Sequence, residues 1–381
     1  MCLADRHSSG DEALTCTAFL VIQALSDLEG LLESLGKGLR AGRNVGRAGT
    51  LGQLEDRDDQ AARAEGTHVA GALADVGLAA RGQAGAGSKR VAIIHAGGLA
   101  PGMNTAARAA VRLGIDHDFT MRGVHGGFPG LLDGDVHELT WADVEGWVGD
   151  GGAQLGTRRE VPTIEQLYAL GRAIELQEID ALLVIGGYNA YLSAYRLVTE
   201  RDRYPAFQIP IVCVPASIDN NLPGSELSIG TDTALNNAVV ALDSIKLSAA
   251  ASHRCFVAEV MGRKCGYLSL MSGLATGAEK VYLNEEGITL AGLAADSERM
   301  VESFRSGRSL YLVIRNERAS VNYTPDVLAH IFAEEGKGLY DVREATLGHQ
   351  QQGGRPPAFD RIMAVSYNHL RAPETDSYLV C

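Results

Sequence analysis

The sequence predicts an α/β protein built on doubly wound parallel sheets, with helices on both faces and functional groups along the carboxyl ends of the strands. Two observations carry this reading. Short apolar runs recur at 90–94 (RVAII), 181–185 (ALLVI), 211–214 (IVCV), 255–260 (CFVAEV) and 311–314 (YLVI), with helical stretches between them, which is the pattern of parallel βαβ units. These runs also lead into glycine-rich or polar turns, among them Gly97-Gly98, Gly186-Gly187 and the stretch holding Asp219, and open α/β sheets bind ligands at that edge.

The bounds agree with a large folded chain. At 381 residues and 46% hydrophobic content it holds two or three domain-sized units with ample core. A formal net charge of −13 argues against a nucleic-acid partner but leaves room for a local arginine pocket. The six cysteines lack CxxC spacing, so a reduced cytoplasmic protein without a zinc site is expected. The apolar run 18–25 is too short to span a bilayer and comes after Asp11 and Glu12, so neither a signal peptide nor a membrane segment is expected.

Residues 1–88 differ in texture from the rest of the chain. Val21, Leu25, Leu28, Leu32 and Leu35 form one amphipathic stripe, and the run 38–53 after it has linker composition. A linker-like or spurious extension with a single helix is expected there. At Lys89 the character changes to strand, Gly/Pro turn and a helix from about Asn104. Gly97, Gly98 and Gly102 let backbone approach a ligand, and the helix start offers free N–H groups to a phosphate; tight turns use the same residues for geometry alone. The segment 125–132 (HGGFPGLL) and that holding Trp141 and Trp147 read as turn and core.

A second glycine-rich loop, 151–159 (GGAQLGTRR), ends in Arg158 and Arg159, either a solvated pair or a phosphate grip. A helix is expected at 163–177. The stretch 214–237 (VPASIDNNLPGSELSIGTDTALNN) then places Asp219 in a turn after a buried strand and before a helix near Thr233. Alone, such an aspartate is as well explained by an Asx turn or a helix cap. Beyond it, Arg254 and Arg263 flank the 255–260 strand, Arg315-Asn316-Glu317 comes after the next, and Arg343 precedes LGHQQQGG. Five loops bearing Arg or His imply a pocket for an anion with several oxygens.

The ordered motifs GGLAPGMN, GGAQLGTRR, IGG, SIDNN, SHRCFVAEVMGRKCGY, IRNE and LGHQQQGG…DR, from about Lys89 to Ala364, resemble the 6-phosphofructokinases. The resemblance implies two α/β domains, 89–230 with 350–364 on the nucleotide side and 231–349 on the sugar-phosphate side. It implies transfer from ATP, with Mg²⁺, to fructose 6-phosphate in glycolysis. By position, Asp219 matches the general base, and Arg159 and Arg263 match groups beside the transferring phosphoryl. Arg254, Arg343 and His349 match the 6-phosphate grip, with Arg254 and Arg343 reaching in from a neighbouring subunit or half. Met261 and Glu317 match sugar contacts, while Gly97, Gly98, Gly102, Asn104, Gly186 and Gly187 fall on the nucleotide loops.

Departures from the family pattern narrow this. Where ATP-using members have GGDGS, this chain has Gly186-Gly187-Tyr188-Asn189-Ala190, and a tyrosine cannot replace a carboxylate on a hard cation, so no metal ligand is assigned. Leu99, Asn221 and Gln352 also replace charged residues. The pattern resembles the carboxy-terminal half of double-length phosphofructokinases, whose sugar-phosphate site binds a fructose bisphosphate activator; retention of Asp219 is unusual there. Asn189 and Ala216 argue against a pyrophosphate-dependent member. A homo-oligomer or a partner catalytic half is expected. The tail 365–381 matches nothing in the family and has the texture of assembly read-through; with residues 1–88 it suggests a fragment of a longer gene.

Overall fold

A computed structural model describes residues 88–222, 224–368 and 379–380; the helix expected around Val21–Leu35 and most of the tail lie outside the described residues. The strands form two sheets. The first has the order β10-β5-β4-β1-β2-β3, from β1 (Arg90–Ala96), β2 (Thr120–Val124), β3 (Val136–Glu138), β4 (Ala181–Gly186), β5 (Ile211–Pro215) and β10 (Leu379–Val380). Only the β2–β3 pair is antiparallel in it. The second has the order β7-β8-β6-β9, from β6 (Arg254–Val260), β7 (Lys280–Tyr282), β8 (Leu310–Asn316) and β9 (Asp341–Thr346), all parallel.

The five strands read from apolar runs are interior to their sheets; β1, β4, β5 and β8 are buried almost throughout, which removes polar alternation, while β6 alternates buried and partly buried residues. β4 is buried at every residue. β9 (DVREAT) is an edge strand, exposed or partly exposed throughout, and its charged sequence hid it from an apolar-run reading. The helices are α1 (Met103–Asp116), α2 (Gly127–Asp133), α3 (Leu167–Leu176), α4 (Tyr188–Thr199), α5 (Thr231–Ala250), α6 (Tyr267–Thr276), α7 (Leu290–Arg305), α8 (Pro325–Gly336) and α9 (Ala358–Tyr367). One hydrophobic cluster holds Ile93 of β1, Ala238 of α5 and Val260 of β6, so side chains from both sheets share a core. Among the described residues no helix is long and apolar enough to cross a membrane.

Three expectations are corrected. The segment 125–132 is not a turn: α2 occupies Gly127–Asp133, with Gly126 and Gly127 at φ 78° and 72°. Pro129 falls in its first turn, where no N–H is missed, and Phe128 and Leu131 bury the helix. Trp141 is not core but 42% exposed, with the Arg112 guanidinium 4.3 Å above its ring. The packed chain also runs past Ala364. α9 continues to Tyr367, whose hydroxyl donates to the Leu227 carbonyl at 2.5 Å, and the Asn368 amide donates to that of Ala106 at 3.1 Å.

Candidate functional site

Register places the loops after β1, β4 and β5 side by side, since Ala96 faces Gly186 and Gly186 faces Pro215. The second sheet contributes the loops after β6, β8 and β9 in the same way. The two sets meet where the Asn221 amide donates to the Arg263 carbonyl at 3.1 Å and the Cys265 thiol lies 3.7 Å from the Asn220 carbonyl. Asn220 has φ 50°, which bends the chain so that Asp219 turns into this junction.

Asp219 is half-buried, with Arg263, Arg159 and Glu317 around it. Burial raises its pKa and the Glu317 charge adds to this; the backbone amide of Arg263 and the charges of Arg263 and Arg159 oppose it. Its neighbours are held by residues that the motifs alone do not single out. Buried Asn316 donates to the carbonyls of Gly262 and Cys265, both at 3.0 Å, and buried Gln351 accepts the Met261 N–H at 2.8 Å. These fix the turn that presents Arg263. Arg315, almost fully buried, pairs with Glu259 and holds the carbonyls of Ser320 and Tyr323, bracing the loop that begins with Glu317. All three lie inside the IRNE and GHQQQGG motifs; Arg315, read from the sequence as part of an anion pocket, is instead buried and spent on Glu259 and two carbonyls.

The remaining predicted residues separate into two places. Met261, Glu317 and His349 stand at the carboxyl ends of β6, β8 and β9, the same end as Asp219; His349 is exposed. Arg254 begins β6, about 20 Å of strand from its other end, with its Nε 3.6 Å from the Asp341 carboxylate of β9. Arg343 sits on β9 opposite Phe256 and is exposed. Within one chain these two arginines are not brought to Asp219.

At the loops assigned to nucleotide, Gly97 and Gly102 have φ 91° and 101°, which favours glycine. A side chain on Gly186 would meet the Ala96 carbonyl oxygen at 1.9 Å, so that glycine serves strand packing. The Asn104 side chain is fully buried: its amide donates to the carbonyls of Asp150 and Gly151, and its oxygen accepts the Gln154 N–H at 2.7 Å. It anchors the 151–159 loop. Gly98 lies under the Arg159 guanidinium, 3.7 Å from where a Cβ would stand. Tyr188 is 57% exposed at the start of α4.

Magnesium requires several oxygen donors, carboxylates foremost. The turn after β4 offers a phenol and an amide whose nitrogen donates to Arg159. Among the described residues no group of three or more His, Cys, Asp or Glu is placed to hold a metal. That turn offers no carboxylate to a Mg²⁺–ATP complex, so its donors do not fit one.

Comparison with known proteins bears on the whole of this arrangement. The family described as phosphofructokinase matches residues 90–370, and the chain belongs to that family. It is 48% identical over 275 residues to an ATP-dependent 6-phosphofructokinase of Dictyostelium discoideum, covering 72% of this chain and 33% of that protein. It is 45% identical to the platelet-type enzyme of Rattus norvegicus, covering 71% and 34%. The structure of Pichia pastoris phosphofructokinase in the T-state matches with a TM-score of 0.71 and 38% identity, covering 74% of this chain and 32% of that one. This chain spans about a third of the length of these relatives.

Proposed function

We propose that the chain is the sugar-phosphate-binding half of an ATP-dependent 6-phosphofructokinase, an enzyme that converts ATP and fructose 6-phosphate to ADP and fructose 1,6-bisphosphate. In this reading its own cleft holds a fructose phosphate and no Mg²⁺–ATP. The observation that carries it is the set around Asp219, a carboxylate facing Arg159, Arg263 and Glu317, beside a turn with Tyr188 where a metal carboxylate would stand. Arg159 and Arg263 neutralise a phosphate at the C1 end of the sugar. Met261 and Glu317 meet the ring and its hydroxyls. His349 contributes to the 6-phosphate.

Arg254 and Arg343 complete the grip in trans, because in their own chain they lie towards the far end of β6 and β9. The complete site therefore belongs to an oligomer or to a pair of halves. Asp219 suits proton removal from a 1-hydroxyl, and phosphoryl transfer rests chiefly on positioning and charge neutralisation. Without a metal carboxylate this half does not transfer phosphate; Arg159 and Arg263 offset the charge of Asp219 beside a C1 phosphate, and a bound fructose bisphosphate acts as an activator of catalysis elsewhere in the protein.

Thermal unfolding with added ligands tests this reading. Fructose 1,6- or 2,6-bisphosphate or fructose 6-phosphate at about a hundred times its dissociation constant is expected to add about 2.7 kcal/mol by mass action. Mg²⁺–ATP is expected to add less. A larger shift with Mg²⁺–ATP overturns the proposal.

A further inference from the structure

Arg159 is an exposed member of the set around Asp219, and a long exposed arginine carries about 2 kcal/mol of rotamer entropy. Something must limit where its guanidinium reaches. The segment 157–159 is tied down at each residue. The Thr157 hydroxyl donates to the Gly97 carbonyl at 3.0 Å, and the Gly97 N–H donates to the Arg158 carbonyl at 2.8 Å. These first two ties run to the loop after β1. The third comes from the turn after β4: the Asn189 side-chain amide donates to the carbonyl of Arg159 itself at 2.5 Å.

Asn189 is rooted for this. It lies in the first turn of α4, its own carbonyl accepts the buried Ser193 hydroxyl at 2.8 Å, and the next residue, Ala190, is fully buried. A side chain on a packed helix turn holds a partner more tightly than one on a loop. The tie fixes the Arg159 backbone where its Nε and Nη2 lie over Gly98, and from there its charge acts on Asp219. The same Asn189 side chain sits 3.9 Å from where a Cβ on Gly97 would stand, so it packs beside the loop after β1 that also holds residues 157 and 158.

We infer that Asn189 is a positioning residue for Arg159: its Nδ2–H bond to the Arg159 carbonyl aims the guanidinium at the phosphate of the bound sugar. This rests on the reading that Arg159 grips a sugar phosphate, so the test has one arm with ligand and one without. In the first, calorimetry with fructose 1,6-bisphosphate compares the full chain, Asn189→Ala, Arg159→Ala and the double variant. Asn189→Ala is expected to weaken binding about fivefold, ~1 kcal/mol at about 1.4 kcal/mol per factor of ten, and to have no further effect once Arg159 is gone. Asn189→Asp, which keeps the shape, loses the donor and adds a negative charge near the anion, is expected to weaken binding at least as much. Equal losses in both backgrounds, or wild-type affinity in Asn189→Asp, overturn the inference.

In the second arm, nitrogen-15 relaxation of the Arg159 side-chain Nε–H is measured without ligand. A lower order parameter in Asn189→Ala than in the wild type is expected, and unchanged order overturns the inference. If the wild-type chain binds no fructose phosphate, the functional reading fails and this second arm alone decides the role of Asn189.

Discussion

Two carboxylates near the start of α5 differ in one respect that separates structure from function. Asp360 and Asp219 are both raised in pKa chiefly by burial. Asp360 reaches from α9 to cap α5, accepting the N–H of Gly230 and that of Thr233, both at 2.8 Å, and the Thr233 hydroxyl as well. Its oxygens are taken by the fold. Asp219 has the Arg263 amide and, beyond it, the charges of two arginines and a glutamate. A buried acid with its acceptors filled is a cap; one surrounded by charged side chains in a cleft is a candidate for binding.

The largest expected effect breaks this comparison on the Asp360 side. Asp360→Ala leaves buried donors at Gly230 and Thr233 without an acceptor and is expected to cost about 3 kcal/mol in urea unfolding, at the upper end for a lost cap and an unpaired buried group. A loss within about 1 kcal/mol would show that this cap is not what holds α5. The next effect sharpens the Asp219 side. A pocket that is incomplete in one chain must respond to a cation outside its own cleft, so Arg343→Ala is expected to weaken fructose bisphosphate binding to the assembled protein by about 2 kcal/mol, roughly thirtyfold. Unchanged affinity by calorimetry would remove Arg343 from the site.

The fold was legible wherever burial left a run of mostly apolar residues, as in β1, β4, β5, β6 and β8, unbroken in β4 and interrupted by Glu259 in β6. It was not legible at the exposed edge β9, nor at α2, where glycine and proline serve a short buried helix. The charged residues of the candidate site were legible because few side chains carry that chemistry. Their supports were not. Asn104, Asn189, Asn316 and Gln351 act through side-chain amide hydrogen bonds to backbone, and no spacing rule marks which amide in a polar loop faces a backbone group. Arg254 and Arg343 were readable by resemblance, yet their distance from Asp219 along β6 and β9 emerges only from strand register.

The smallest effect concerns Asp219 itself, and its signature is a slope with pH. The folded-state pKa lies above the unfolded value of about 3.9, because burial and Glu317 outweigh the Arg263 amide and the two arginines. Between those values the native state keeps a proton that the unfolded chain releases, so stability falls as pH rises through that window and the deficit persists above it. Asp219→Asn removes the ionisation and is expected to be slightly more stable than wild type at neutral pH, with the difference vanishing below about pH 4. A bound phosphate at C1 adds negative charge beside the carboxylate and raises its pKa further. Fructose bisphosphate binding in mild acid is therefore expected to take up protons, measurable by calorimetry in buffers of different ionisation enthalpy, and the uptake is expected to shrink in the Asp219→Asn variant. Equal proton uptake in both proteins would place the phosphate away from Asp219 and return that residue to the same structural class as Asp360.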